Sequence, residues 1–163
     1  MKTLVVFSGK YGTTGMFAYR LAQAFGEESQ SMDLRDSNAI DWNHWDAVVI
    51  GGGIYIGKVR KEVKVFCKRF ARELEKCALG LFLCAGEKEP EQIRQLFEKN
   101  FSPAFLAKAR VKMRFPGGQV LNEKAGFIYR SFFPKMPKVT EEEIEELIHS
   151  FVEQMNLPKE SNE

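Results

Sequence analysis

The feature that most restricts the fold is a regular alternation of two kinds of segment. Short apolar runs, typical of buried parallel strands, alternate with segments whose apolar residues recur at helical spacing. The candidate strands are residues 3–8, 31–34, 47–51, 79–84 and 109–115. The candidate helices are residues 14–25, 59–74, 89–100 and a last one that opens with a capping box at Thr140. This pattern predicts βαβ units, and hence an α/β fold with a five-stranded parallel sheet and helices on both faces.

Length and charge limit the classes of protein that remain. The chain of 163 residues fits one domain, predicted over residues 1–156, with a frayed polar tail at 157–163. Its formal net charge of +2 is too small to indicate a nucleic-acid partner. No apolar run approaches the roughly 20 residues that span a bilayer, and the chain starts with a strand pattern rather than a signal peptide. We therefore expect a cytoplasmic protein.

The cysteines and histidines give no indication of a metal site. Three cysteines occur without a Cys-x-x-Cys motif, which indicates a reduced compartment. The only two histidines, His44 and His149, lie far apart in the sequence. We predict no metal.

Glycine-rich loops follow three of the predicted strands, after Ser8, Ile50 and Cys84. In an open parallel sheet the carboxyl ends of the strands meet at one edge, and ligands bind there, where the winding direction reverses. The positions of the three loops therefore predict a ligand site at this edge.

The first loop has the composition of a phosphate site. Its residues are Ser8, Gly9, Lys10, Tyr11, Gly12, Thr13 and Thr14. Free N–H groups at the following helix N-terminus attract anions, and the hydroxyls and Lys10 add donors and charge. The sequence is neither a Walker A loop nor a dinucleotide fingerprint, because its lysine and glycines have the wrong spacing. An ordinary strand–helix turn capped by threonine is the alternative.

Two loops together resemble those of the flavodoxins. Residues 8–14 (SGKYGTT) are similar to the flavodoxin phosphate loop, and residues 51–57 (GGGIYIG) resemble the second loop, which contacts the flavin. Within this superfamily the chain looks most like the branch of menaquinone-dependent protoporphyrinogen oxidase, since residues 117–121 (GGQVL) precede a basic, aromatic insertion. The resemblance spans about residues 2–155. It implies a three-layer sandwich with strand order 2-1-3-4-5 and FMN as cofactor.

The resemblance also implies the residues that contact FMN. The second loop would supply Gly53, Ile54, Tyr55, Ile56, Gly57 and Lys58, with Tyr55 or Ile56 against the flavin ring. The third loop would supply Cys84, Ala85, Gly86 and Glu87, mainly through their backbone. No histidine adjoins Cys84 in the sequence, so we interpret it as a small buried residue rather than a nucleophile.

Three departures from the flavodoxin pattern concern function. Ile56 stands where electron carriers tend to have an aromatic ring, and Lys58 stands where they tend to have an acid. Carriers also tend to be acidic, whereas this chain is slightly basic. A lysine beside the flavin would favour the two-electron-reduced cofactor, which suits an enzyme more than a carrier. The insertion is shorter than that of the oxidase branch, which weakens the link to porphyrin chemistry.

The insertion, residues 124–138, alternates aromatic and basic residues. It is either a loop whose aromatic side chains pack on the sheet edge, or a docking surface beside the flavin. The candidate docking residues are Phe127, Tyr129, Arg130, Phe132 and Phe133. Such a surface would suit a porphyrinogen, a quinone or the membrane periphery.

Three classes of function follow from the sequence. The first is an FMN oxidoreductase that acts on a porphyrinogen or a quinone. The second is a one-electron carrier that docks redox proteins. The third is a flavin-free binding module with the same fold.

Overall fold

The structure of the protein is a computed structural model that describes residues 1–36, 39–123 and 125–158. Five parallel strands form one sheet in the order β2-β1-β3-β4-β5. They are β1 (Thr3–Ser8), β2 (Gln30–Asp33), β3 (Ala47–Gly53), β4 (Ala78–Ala85) and β5 (Val111–Pro116). The predicted fold class and strand order are confirmed. All seven residues of β3 are buried, as expected for a strand with helices on both faces.

Seven α-helices occur in the described part of the chain. They are α1 (Thr13–Phe25), α2 (Lys61–Arg69), α3 (Ala71–Leu74), α4 (Pro90–Asn100), α5 (Pro103–Lys108), α6 (Phe127–Phe132) and α7 (Glu141–Asn156). The predicted capping box of α7 is present, since the Thr140 hydroxyl accepts from Glu143 N at 3.2 Å and Thr140 N donates to Glu143 Oε2 at 2.8 Å. No described helix is both long and apolar enough to cross a bilayer.

The hydrophobic core is divided by the sheet into two layers. One layer holds Phe17 of α1 and Phe151 of α7 against Phe82 and Phe115 of the sheet, and all four rings are fully buried. The other lies under α2 to α5. Because burying one such side chain is worth about 1.5–3 kcal/mol, both layers hold the helices firmly against the sheet. The ends of the strands then meet at one defined edge.

The structure corrects three local predictions. The single helix predicted for residues 59–74 is two helices, because Phe70 leaves helical geometry at φ −108° and ψ 23°. Pro103 does not only end α4: it opens the short helix α5, whose N-cap Ser102 accepts from Phe105 N at 3.3 Å. The insertion also contains a helix, α6, followed by the 3₁₀ turn Phe133–Lys135. Of the predicted tail, residues 159–163 lie outside the described residues.

Candidate functional site

The first loop turns from β1 into α1 under tight packing. Gly12 precedes α1 at φ 106°, a left-handed conformation that favours glycine, and a Cβ there would lie 2.8 Å from Val120 Cγ1. A Cβ on Gly9 would lie 2.6 Å from Thr14 Cβ. The loop backbone therefore approaches its neighbours more closely than any other residue type would allow.

Ser8 provides the clearest indication that this loop has a ligand. The residue is fully buried, and its Oγ has no hydrogen-bond partner among the described residues. Leaving a buried hydroxyl unpaired costs about 1–3 kcal/mol, and such groups normally have a partner. The free N–H groups of the first turn of α1 lie just after it in the chain. A phosphate group fits this donor set.

Three tyrosines line the space in front of the loop. The Tyr55 hydroxyl accepts a hydrogen bond from Lys10 N at 2.8 Å, and burial raises its pKa. Tyr11 stacks on Tyr129 of α6 with ring centroids 3.7 Å apart. The Lys10 ammonium lies 5.1 Å from the centroid of the Tyr11 ring. The loop, the second loop and the insertion thus meet through aromatic side chains.

The second loop is a tight hairpin. Tyr55 and Lys58 exchange two backbone hydrogen bonds of 2.9 and 3.1 Å around a two-residue turn. Gly57 has φ 74°, and Ile56 has φ 49°, which is a rare and strained conformation for a β-branched residue. Ile56 is also 99% exposed. Strained residues are frequent at functional sites. Here the strained backbone places the apolar side chain of Ile56 in solvent at the end of the hairpin.

A buried asparagine that the sequence analysis missed anchors this hairpin. Asn100, the last residue of α4, donates from Nδ2 to Gly57 O at 3.0 Å and to Leu96 O at 2.8 Å. Its Oδ1 accepts from Val59 N at 2.9 Å. In a sequence, an asparagine at a helix end is normally interpreted as a helix cap. The neighbouring residues give no indication that its partners lie more than 40 residues away.

In the third loop, Cys84 is structural. Burial raises the pKa of its thiol to about 12, although a hydrogen bond with Thr14 favours the thiolate. Its carbonyl accepts from Ile54 N at 3.0 Å, which ties the third loop to the hairpin. The thiol is therefore neutral near pH 7, in agreement with its interpretation as a small buried residue.

Arg114 of β5 is a second residue that the sequence analysis missed. Its Nε donates to Ala85 O at 2.9 Å, and partial burial lowers the pKa of the guanidinium. Glu87 is close enough to oppose that shift. Arg114 therefore places a half-buried cation beside the third loop, a position that only the pairing of β4 with β5 reveals.

The loops enclose one cleft of about 550 Å³, within the size range of small-molecule and cofactor sites. Several predicted residues do not line it, namely Ser8, Gly9, Gly12, Gly57, Lys58, Glu87, Phe127, Arg130, Phe132 and Phe133. Its lining consists of Lys10, Tyr11, Thr13, Thr14, Gly53, Ile54, Tyr55, Ile56, Cys84, Ala85, Gly86, Gly117, Gly118, Tyr129, Met136 and Pro137. Twelve of these sixteen were predicted as site residues.

One glutamine closes the base of the insertion. Gln119 Nε2 donates to Gly117 O at 2.7 Å and to Pro137 O at 2.9 Å, and its Oε1 accepts from Val139 N at 3.0 Å. The Thr13 hydroxyl accepts from Gln119 N at 3.0 Å. The two ends of the insertion are therefore fastened together, and one of them is fastened to the start of α1.

The side chains of α6 divide between the cleft and solvent. Phe127 is 85% exposed and Ile128 is 73% exposed, and Phe132 is exposed as well, so of the two alternatives for the insertion, packing on the sheet edge does not hold for these residues. Tyr129 faces the cleft. Arg130 donates to carbonyls of the insertion itself, including Ala125 O at 2.8 Å from Nε. The insertion thus presents an apolar surface outward and one tyrosine inward.

The described residues contain no group of three His, Cys, Asp or Glu side chains that could hold a metal ion. The donors at the cleft are instead hydroxyls, backbone N–H groups and the ammonium of Lys10. Such donors fit an anionic organic ligand better than a cation.

Solved structures of flavodoxin fold resemble the protein. A short-chain flavodoxin associated with a non-canonical PDU bacterial microcompartment is 18% identical, with a TM-score of 0.60 over 95% of this chain and 97% of its own. A flavoprotein from Lactobacillus acidophilus in complex with FMN is 12% identical, with a TM-score of 0.51 over 69% of this chain and 92% of its own. At these identities the likeness establishes the fold alone.

A third neighbour is a larger protein. The Flv1 flavodiiron core from Synechocystis is 15% identical, with a TM-score of 0.53. The match covers 71% of this chain but only 31% of the flavodiiron core, so the chain corresponds to about a third of that protein's length. No curated protein matches the chain by sequence.

A five-stranded parallel sheet of order 2-1-3-4-5, with a cleft at the carboxyl ends of β1, β3 and β4, defines a flavodoxin-like α/β protein. The family model described as "Flavodoxin domain" matches residues 4–146. The chain belongs to the flavodoxin domain family.

Proposed function

We propose that the protein binds FMN in the cleft and transfers electrons through it. The observation that carries this proposal is the buried, unpaired hydroxyl of Ser8 at the carboxyl end of β1, in the same loop as Lys10 and Thr14, which line the cleft. A phosphate accepting from this hydroxyl would remove its desolvation penalty, and the first-turn N–H groups would neutralise much of the phosphate charge. The fold relative from Lactobacillus acidophilus, which was solved with FMN, supports the choice of flavin.

The remaining groups suit the other parts of FMN. The Tyr55–Lys58 hairpin would contact the flavin ring, with Tyr55 and Ile56 beside its faces and the third loop, Cys84 to Glu87, at its pyrimidine edge. The bound cofactor supplies one- or two-electron redox chemistry. The protein would bind and orient it and exclude water from one side. Lys58, at the end of the hairpin, would favour the more reduced and more negative cofactor.

Within this function we propose an oxidoreductase that uses a quinone or a porphyrinogen. The supporting observation is the exposed apolar surface of α6, which adjoins the cleft through Tyr129. A large apolar ring system could lie on such a surface. The second candidate is an electron carrier for redox proteins, favoured by the family match and by the flavodoxin among the fold relatives.

The experiment that tests FMN binding compares FMN with riboflavin, which lacks the phosphate. The protein is titrated with each flavin while flavin fluorescence is followed. We expect FMN to bind more tightly than riboflavin. Ser8→Ala should weaken the binding of FMN by about 1–3 kcal/mol and leave the binding of riboflavin unchanged. The flavin-free protein should be no less stable after this substitution, because an unpaired buried hydroxyl is removed.

Ser150→Ala on α7, which does not line the cleft, is the matched control and should leave both affinities unchanged. Equal affinity for FMN and riboflavin would show that the first loop does not bind the phosphate. An absence of flavin binding would leave the flavin-free binding module as the remaining class.

A further inference from the structure

A second, more open groove adjoins the cleft. It has a volume of about 390 Å³ and is lined by Lys10, Tyr55 and residues 58–62. Lys10 and Tyr55 also line the cleft, so the two depressions share a wall. We call this second depression the basic groove. It was not singled out by the sequence analysis, because its residues come from separate segments of the chain.

The charge of the basic groove is strongly one-sided. Four of its seven lining residues are cationic, and Glu62 is the one acid. The four cations are Lys10, Lys58, Arg60 and Lys61. The resulting excess of three positive charges is larger than the formal +2 of the whole chain. The net positive charge of the protein is thus accounted for beside the cleft, where it creates a local positive potential.

Little of this charge is neutralised within the protein. Arg60 Nε lies 3.6 Å from Glu62 Oε2, and both atoms are buried without a hydrogen-bond partner among the described residues. Lys58 and Lys61 are exposed and form no ion pair with any residue that the structure describes. The groove therefore contains two lysines without an ion pair and an arginine, Arg60, whose Nε has no hydrogen-bond partner among the described residues.

We propose that the basic groove docks the acidic surface of a partner protein that exchanges electrons with the cleft. The electron exchange rests on the proposed FMN function, whereas the docking itself needs no flavin. A protein fits better than a small anion because the exposed lysines are spread over the first loop, the hairpin and the start of α2. Charges arranged in this way form many weak ion pairs with an extended surface, which raises the association rate and fixes the orientation.

The test uses a plant-type [2Fe–2S] ferredoxin, an acidic one-electron carrier, as the probe. Its affinity is measured by calorimetry at about 20 mM salt, where screening is weak, with and without FMN. We expect Lys61→Glu to weaken binding about five- to tenfold and added salt to weaken binding to the unsubstituted protein. Lys61 is the first residue of α2, where a glutamate is favourable to the helix, so the variant should fold and keep its FMN affinity.

Lys76→Glu is the matched control, because Lys76 is exposed and lies just before β4, at the opposite end of the sheet. It should change ferredoxin affinity less than twofold. The proposal is overturned if ferredoxin does not bind, if both variants lose affinity equally, or if salt has no effect. It is also overturned if Lys61→Glu abolishes binding of inorganic phosphate or phosphatidylserine vesicles but not of ferredoxin. Ferredoxin binding without any FMN binding would contradict the proposed function and leave the docking site in place.

Discussion

The first loop, residues 8–14, and the insertion, residues 124–138 with its flanking residues 119–123 and 139, lie at the same edge of the sheet but are built in opposite ways. In the loop, Ser8 and Gly9 are buried and the backbone is held by close packing. In the insertion, large apolar side chains such as Phe127 are exposed, and hydrogen bonds of Gln119 hold the ends. The comparison teaches that rigidity and apolar content are separate properties. The polar loop is the closely packed part of the site, and the apolar insertion is its exposed surface.

The largest expected difference between the two regions concerns glycine. Gly12→Val should lower the free energy of unfolding by about 2–4 kcal/mol, because φ is 106° and the new side chain would meet Val120. Gly126 is the matched control: its φ is −75°, and a Cβ there meets nothing within 4 Å. Gly126→Val should therefore change the stability by less than about 0.5 kcal/mol. Urea denaturation of both variants measures this difference, and equal losses would contradict the comparison.

An intermediate effect is expected at the junction of the two regions. Gln119→Ala removes two donated hydrogen bonds and one accepted bond, so we expect a loss of about 1–2 kcal/mol in the free energy of unfolding. Trypsin should also cleave the insertion faster, at Arg130, Lys135 or Lys138, because its ends are no longer fastened together.

The control is Gln154→Ala on the exposed side of α7, where one hydrogen bond of 3.1 Å to Ser150 is lost. Its stability should change by less than about 0.5 kcal/mol, and its rate of cleavage within the insertion should not change. If Gln119→Ala is cleaved no faster than this control, the insertion is held by packing rather than by Gln119.

The smallest effect on stability is expected on the outer face of α6. Replacing Phe127 and Ile128 together by serine should change the free energy of unfolding by less than about 0.5 kcal/mol, because both side chains are exposed. The same double variant separates the two candidate functions. In an oxidoreductase, reoxidation of the photoreduced, FMN-loaded protein by menadione should slow several-fold. In a carrier that only docks proteins, this rate should not change.

The sequence was sufficient for the parts of the molecule that depend on local pattern. Buried strands have continuous apolar runs, so all five strands of the sheet were predicted to within two residues at either end. The glycine-rich loops then indicated the edge that forms the cleft. Short helices were missed because six residues, as in α5 and α6, are too few to give a helical period or to be stable alone.

The polar supports of the site could not be predicted for a different reason. Asn100, Arg114 and Gln119 act on backbone atoms that are distant in the chain or come from another strand. Their side chains have no pattern that differs from an ordinary helix end, strand residue or loop residue. Only the assembled sheet brings each of them to its partner, and only then can their roles be inferred.

Gln119 has a consequence for how this protein can change over evolutionary time. Because its amide joins Gly117 to Pro137 and Val139, the stretch between them is closed off from the sheet. Lengthening a closed loop is inexpensive, since each doubling of its length costs only about 0.6 kcal/mol. The segment can therefore lengthen at little cost to the strands, whereas a replacement that removed Tyr129 would cost the first loop its stacking contact with Tyr11.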